Sequence, residues 1–252
     1  MKKAKFLIPL LTIVFLAGCT SSSKRRSNGG VTSQEPVTSV PPSTKTTGDT
    51  GSSSITSDTS VIPPQPGEEV TKTIETFGDN FVNVGGFNGG GQQIDSAVDG
   101  QKDNVTKLKT YFDTICDQDG MLSSLTCSKM NTGKPANDYY TVWLCIGTQA
   151  GTGSLVWKST AQMKSVVLNV RTYFRYYTYG SESAPYHPEN SIVSINGQET
   201  ALTANDGTTE PTPITINYSP SENFTTLTIS NLISGTSYSR FFIDSITITW
   251  VY

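Results

Sequence analysis

The 252-residue sequence has little of the chemistry on which most catalytic and metal sites depend. It contains one histidine, His187, and four cysteines with no CxxC pair, so the common zinc-ligand spacings are absent. Neither GxSxG nor GxxxxGKS/T occurs, which removes two frequent signatures of nucleophilic and phosphate-binding sites. Because no catalytic motif is present, we expect a protein that is not an enzyme.

What the sequence does contain begins with an export signal. A basic segment, Met1–Lys5, precedes an apolar segment of 12 residues, Phe6–Ala17. That segment is shorter than the roughly 20 residues of a membrane-spanning helix but suits a signal peptide. Leu16-Ala17-Gly18-Cys19 follows and resembles a lipobox, the bacterial lipoprotein processing signal. An ordinary cleaved signal without lipid is the alternative.

The lipobox resemblance implies that residues 1–18 are removed and that Cys19 carries the lipid. Two acyl chains at ~0.8 kcal/mol per buried CH₂ anchor a protein stably, where a single chain does not. We therefore expect a protein that is lipid-anchored at the cell membrane, with its folded part on the extracytoplasmic side. The membrane, through lipidated Cys19, is the first expected partner.

After Cys19, a polar tract extends to residue 69. Residues 20–69 contain 21 Ser and Thr, 6 Pro and 5 Gly, with no Phe, Trp or Tyr. Such a composition cannot bury enough apolar surface to offset its chain entropy, so segment 19–69 is predicted to be a disordered tether. As a flexible chain it has a root-mean-square reach of about 40 Å.

Residues 70–252 contain all aromatic residues except Phe6 and Phe15, which predicts one folded domain. This segment carries 11 Lys and Arg against 16 Asp and Glu, a net charge of −5. A mildly acidic domain lacks the basic face that nucleic acids require, so no nucleic-acid partner is expected. Apolar residues at helical spacing predict one amphipathic helix near residues 103–118, capped by Asp103 or Asn104.

The rest of the domain has the pattern of short β-strands separated by turn residues such as Asn196-Gly197. The fold class predicted is mainly β, an antiparallel, jelly-roll-like β-sandwich. In the last strand, the face with Ile246, Ile248 and Trp250 is expected to be the core face. The predicted strands are Thr71–Phe77, Ser124–Met130, Tyr140–Gly147, Leu155–Ser159, Val166–Tyr179, Ile192–Ile195, Ile214–Tyr218, Leu227–Ser230 and Phe241–Trp250.

Residues of about 120–252 resemble β-sandwich modules of the jelly-roll, galactose-binding-like kind found on bacterial surface proteins. The resemblance rests on the segments Leu144–Thr148, Gly153–Trp157, Ser194–Gly197 and Arg240–Ile248, with the long strand from Val166. It is a likeness of pattern and includes no catalytic signature. It implies a module that binds carbohydrate, or one that serves as a spacer or adhesive unit.

The densest aromatic segment offers a candidate ligand site. In a strand, Tyr173, Arg175, Tyr177 and Tyr179 share one face, and His187 follows in a loop. Exposed aromatic rings stack on the C–H faces of sugars, and a guanidinium donates hydrogen bonds to hydroxyl groups. The alternative is that these tyrosines pack under a neighbouring loop.

The tryptophans and acidic residues provide weaker candidates. Trp143 and Trp157 are alternative stacking platforms, whereas Trp250 is expected in the core. No cofactor is expected, although a structural Ca²⁺ could be held by oxygen ligands among Asp79, Asp95, Asp99 and Asp244.

Of the cysteines that remain after Cys19, Cys116 and Cys127 could form a disulfide, but three buried thiols including Cys145 are the simpler expectation.

Three functions remain open from the sequence. The first is a tethered carbohydrate-binding module at the cell surface, with a glycan as partner. The second is a structural or adhesion unit that contacts a surface protein. The third is a hydrolase with unrecognised carboxylates, which requires two acids facing each other across a cleft.

Overall fold

The structure is a computed structural model that describes residues 64–133, 142–148, 151–175, 189–233 and 240–252. Cys19 and the predicted signal peptide lie outside these residues, as do most of the tether, Tyr177, Tyr179 and His187. The described residues all belong to one compact unit. Within this described part, no helix is long and apolar enough to cross a membrane.

The described residues form eleven strands in one curled, antiparallel sheet, together with two short α-helices. The predicted mainly β fold is therefore confirmed. The strands are β1 (Glu69–Glu75), β2 (Gln93–Ile94), β3 (Ser124–Ser128), β4 (Met130–Gly133), β5 (Trp143–Ile146), β6 (Ser154–Thr172), β7 (Ser191–Ile195), β8 (Gln198–Leu202), β9 (Ile214–Tyr218), β10 (Phe224–Asn231) and β11 (Phe241–Val251). The helices are α1 (Gly78–Asn83) and α2 (Lys102–Asp113).

Strand β6 passes from one layer of the sandwich to the other. Its first part pairs with β3 and β10, and its second part pairs with β9 and β11. The sheet curls at this strand, so its inner surfaces face each other across the core. Trp157 of the first part and Trp250 of β11 meet there with ring centroids 6.2 Å apart, and both are fully buried.

The long strand β6 replaces two predicted strands. The register against β11 shifts between Met163 and Ser165, which leaves Lys164 as an extra residue. A bulge of this kind reverses the alternation of side chains, so Trp157 and Val166 both face the core although their numbers differ in parity. The prediction that the second strand reaches Tyr179 is wrong at that end, because the strand stops at Thr172.

A second bulge corrects the predicted faces of β11. Its register shifts between Ile243 and Ser245, which makes Asp244 the extra residue. In the last half, Ile246, Ile248 and Trp250 are fully buried, as predicted. In the first half the sequence pattern assigned Ile243 to the other face, but it too belongs to the main core.

Helix α2 closes one side of the core. Leu108, Tyr111 and Phe112 are its buried residues, and the Phe112 ring stacks on Trp157 with centroids 5.2 Å apart. The predicted helix 103–118 is present but shorter. It begins at Lys102, and the residue before it makes no side-chain cap, so the expected caps Asp103 and Asn104 lie in its first turn.

The three cysteines that the structure describes are free and buried. Burial raises the pKa of Cys116 and Cys127 to about 12, and it also raises the pKa of Cys145. The expectation of three buried thiols is confirmed, and Cys116 and Cys127 do not form a disulfide.

Candidate functional site

An open cleft lies where β2, β4 and β5 meet the start of β11 and the end of β6. Its volume is about 560 Å³. The described residues that line it are Gly90, Gly91, Gln93, Asn131, Thr132, Gly133, Thr148, Tyr173, Arg175 and Arg240. They supply guanidinium, amide and hydroxyl groups and glycine backbone, and none of them carries a carboxylate.

The register of the sheet brings these distant residues together. Directly opposed residues of antiparallel strands point to the same face. One such row crosses the sheet as Gln93, Asn131, Cys145, Phe242 and Arg171. Both chain neighbours of Phe242 belong to the main core instead, so the cleft lies over the opposite face of the sheet.

A second hydrophobic cluster forms the floor beneath the cleft. Its buried members are Trp143, Cys145, Tyr173, Phe174 and Phe242. The Phe242 ring stacks on Tyr173 with centroids 4.8 Å apart and lies 5.6 Å from the Trp143 ring. Gly133 makes room for it, because a Cβ at this position would lie 2.8 Å from Cζ of Phe242. The floor is therefore tightly packed.

Tyr173 is held from several directions at the end of β6. Its side chain is 7% exposed, and the guanidinium carbon of Arg240 lies 3.6 Å from its ring centroid. Burial raises the pKa of the Tyr173 phenol, which Arg240 and Arg175 partly oppose, so the hydroxyl stays neutral. The Nε of Arg175 donates to this hydroxyl at 3.3 Å. Tyr173 thus orients a half-buried arginine at the mouth of the cleft.

The glycine-rich segment 85–91 forms one wall. Thr132 fixes this wall to β4, since its hydroxyl donates to the carbonyl of Gly89 at 2.6 Å and accepts from the backbone N–H of Gln92 at 3.1 Å. The backbone N–H of Gly91 donates to the Thr132 carbonyl at 2.6 Å. Nothing in the local sequence indicates that this segment meets Tyr173 and Arg175 at the cleft.

The structure brings Tyr173 and Arg175 of the predicted ligand site to the cleft. The stacking role proposed for Tyr173 is wrong, because its ring is buried against Phe242 and Arg240. The segment leaves the sheet after β6, so Phe174 is buried as well and the predicted alternation of faces does not hold. Tyr177, Tyr179 and His187 lie outside the described residues.

The alternative aromatic platforms are not exposed either. Trp143 is 7% exposed and lies in the floor cluster, where the guanidinium carbon of Arg171 is 5.5 Å from its ring centroid. Trp157 is fully buried in the main core, as is Trp250, for which the sequence predicted this place. Sequence reasoning missed Gln93, which the register brings to the cleft from a distant segment, and no local signal could have found it.

Two of the four acidic residues considered for Ca²⁺, Asp95 and Asp244, have other partners. The carboxylate of Asp95 accepts from the backbone N–H groups of Ala97 and Lys129, each at 2.9 Å. Asp244 forms a salt bridge of 2.6 Å with Arg171. Across the described ranges, no group of three or more His, Cys, Asp or Glu could hold a metal ion. The structural Ca²⁺ therefore stays a prediction, and the described residues offer no group of side chains that could bind it.

No protein-family model matches the chain, and no curated protein matches it. Among solved structures, the chain is similar to a family 35 carbohydrate-binding module from Clostridium thermocellum, with 11% identity and a TM-score of 0.28, over 51% of this chain and 94% of that one. A similar module from Paenibacillus barcinonensis gives 11% identity, a TM-score of 0.26 and the same coverage.

A third similar structure is the catalytic domain of a GH87 α-1,3-glucanase in complex with nigerose. It has 9% identity and a TM-score of 0.25, and the match covers 51% of this chain and 28% of that one. Likeness at these scores carries no inference about what the chain binds.

Proposed function

We propose that this protein is a lipid-anchored surface protein whose β-domain binds glycans in the cleft, without catalysing a reaction on them. The observation that carries this proposal is the chemistry of the cleft lining. Gln93, Asn131 and Arg175 present amide and guanidinium groups at an open cavity of about 560 Å³. Such groups match the hydroxyl-rich surface of a sugar, which both donates and accepts hydrogen bonds.

The glycosidase alternative is disfavoured by the same lining. Glycoside hydrolysis uses two carboxyl groups about 5–9.5 Å apart across the scissile bond. Among the described residues that line the cleft there is no Asp or Glu. Glu189 is bound to Arg240 of this lining, and its side chain is only 5% exposed.

The position of the cleft suits display from a tether. Arg240 at the cleft directly precedes β11, and the other end of that strand, Val251, pairs with Glu69 at the start of β1. The eleven residues between these ends span about 35 Å. The predicted tether therefore joins the domain at the end remote from the cleft, which leaves the cleft accessible while Cys19 is held by a membrane.

The direct test is a glycan array probed with the full chain carrying Cys19→Ser, which prevents lipidation. We expect binding to one glycan class, and at least a tenfold loss of affinity for Arg175→Ala, the cost of about one charge-assisted hydrogen bond. Lys164→Ala is the matched control, since it removes an exposed basic side chain from the strand that leads to the cleft.

A folded protein that binds no glycan, but captures a specific protein in an Arg175-dependent way, would replace this proposal with the adhesion unit. Lipidation is tested separately by mass spectrometry of the mature N-terminus, where an unmodified Cys19 would contradict the anchor.

A further inference from the structure

A buried ion pair lies behind the cleft. Nη2 of Arg240 donates to Oε1 of Glu189 at 2.9 Å, and both side chains are 5% exposed. Nε of Arg240 and its backbone N–H donate to the other carboxylate oxygen at 3.4 and 3.3 Å. Arg240 directly precedes β11 and Glu189 lies just before β7. The pair therefore joins two segments that enter the sheet from different parts of the chain.

The same two residues enclose Tyr173 through the backbone. The N–H of Tyr173 donates to the carbonyl of Arg240 at 3.1 Å, and the N–H of Glu189 donates to the carbonyl of Tyr173 at 2.8 Å. The Arg240 guanidinium also covers the Tyr173 ring, with its carbon 3.6 Å from the centroid. Displacement of Arg240 would thus move Tyr173, and with it the hydroxyl that accepts from Arg175.

We infer that Glu189 and Arg240 are positioning residues of the cleft, and that ligand binding requires Glu189 to be ionised. The Glu189 carboxylate fixes the Arg240 guanidinium, which fixes Tyr173 and so orients Arg175 toward the ligand. This inference rests on the proposed function insofar as the cleft is the binding site.

Stability alone is a poor explanation of the pair. Removing two charges from water costs several kcal/mol per ion, and apolar residues of similar volume often stabilise a fold equally well. Burial raises the pKa of Glu189 above its ordinary value, and the hydrogen bond and charge of Arg240 only partly oppose this. The Arg240 pKa is raised by its bond to Glu189 although burial alone would lower it, so Arg240 remains charged.

Because the pKa of Glu189 is raised, a positioning role and a stabilising role predict different effects of mild acid. A group whose pKa is raised on folding contributes stability that is present at low pH and is lost as pH rises through its folded pKa. Mild acid therefore does not destabilise the fold through Glu189, yet it neutralises the carboxylate that fixes Arg240. Among the described residues, the other groups facing Glu189 are Arg240, Arg175, Cys145 and Tyr173. The arginines stay charged, and the raised pKa values of the thiol and the phenol keep both neutral, so none changes charge in mild acid.

The first arm of the test needs no ligand. In the full chain carrying Cys19→Ser, the Nε–Hε NMR signal of Arg240, identified by its loss in Arg240→Lys, is followed from pH 7 to pH 4 with the ring signals of Tyr173. We expect both to shift together in one titration above the ordinary glutamate range. In Glu189→Gln both signals should start at the shifted position and show no titration. Glu69→Gln removes an exposed carboxylate that is paired with Lys164, far from Arg240 in the sequence, and should leave the titration unchanged.

The second arm measures binding of cellohexaose, xylohexaose and mannohexaose by calorimetry over the same pH range. In the wild type, we expect affinity for the bound oligosaccharide to fall at least tenfold as Glu189 is protonated. In Glu189→Gln, affinity should be low and independent of pH. The unfolding temperature of the wild type should not fall over the same pH range. Tyr173 signals that do not move with Glu189 overturn the inference. If no oligosaccharide binds but the signals titrate together, the proposed function fails for these sugars and the positioning stands.

Discussion

Replacement of Gly133 by alanine would test the packing of the cleft floor. Gly133 lies at the end of β4 and is buried, and the ring of Phe242 occupies the space where a side chain would begin. A Cβ at this position would lie 2.8 Å from Cζ of Phe242 and closer still to Cε1. Carbon atoms in good contact are about 3.5–4.0 Å apart, so the ring would have to move by at least about 0.7 Å.

The ring has little room for that movement. Phe242 is fully buried, stacks on Tyr173 at 4.8 Å and lies 5.6 Å from Trp143. Inserting one methyl group into a packed core costs about 1–3 kcal/mol. For a domain of this size, the melting temperature should fall by about 2–12 °C. Because Tyr173 would be displaced with Phe242, glycan affinity in the cleft should fall as well.

The measurement is urea and thermal unfolding of Gly133→Ala beside Gly100→Ala. A Cβ at Gly100 would have no atom within 4 Å, and the backbone there is not left-handed, so this replacement should be neutral or stabilise by about 0.4–1 kcal/mol. If Gly133→Ala unfolds at the same urea concentration as Gly100→Ala, the floor is not packed as described. A fall in stability with unchanged glycan affinity would contradict the link between Phe242 and Tyr173.

Two further predictions concern the rest of the domain. With Cys19 replaced by serine, Ellman's reagent at pH 8 should modify none of Cys116, Cys127 and Cys145 until the protein is unfolded. The reason is that burial raises the pKa values of these thiols and blocks access to them. Rapid reaction of the folded protein would contradict this prediction. Asn196→Ala should cost about 1–3 kcal/mol, because Asn196 adopts φ 47° and its side chain bonds the backbone of Thr226 and Thr228. Asn205→Ala removes three hydrogen bonds of an exposed side chain whose backbone is not left-handed. It should cost less in the same urea titration, and equal costs would argue that the left-handed backbone of Asn196 contributes nothing.

Local sequence patterns predicted the strands and turns of the domain better than they predicted how the strands pair. The alternation in Ile246, Ile248 and Trp250 identified the core face of β11, and Asn196-Gly197 forms the predicted turn after β7. The strand that follows this turn, β8, was not predicted. Bulges could not be predicted, because Lys164 and Asp244 are extra residues only relative to a partner strand. Each bulge changes which residues share a face, which is why two predicted strands became one in β6.

The residues that line the cleft could likewise be predicted only in part from local sequence patterns. Tyr173 and Arg175 were found because two ligand-binding residue types lie two positions apart in the sequence. Gln93, Asn131 and Arg240 were missed because they reach the cleft from separate strands, through pairings that no local pattern encodes. The burial of Tyr173 also depends on a distant partner, since the guanidinium that covers its ring comes from Arg240.

The covered ring of Tyr173 changes what kind of glycan recognition the cleft can perform. A sugar cannot stack on a side chain that is 7% exposed, so the apolar part of binding that exposed rings supply is absent at this position. If the proposed function is correct, recognition depends on hydrogen bonds from Arg175, Asn131 and Gln93, each of which has a defined direction. Directional bonds discriminate between hydroxyl orientations more strongly than they add affinity, because the site and the sugar both lose water to form them. We therefore expect weak binding with sharp selectivity between epimers, and a site that bound all hexoses alike would require a stacking surface that these residues do not provide.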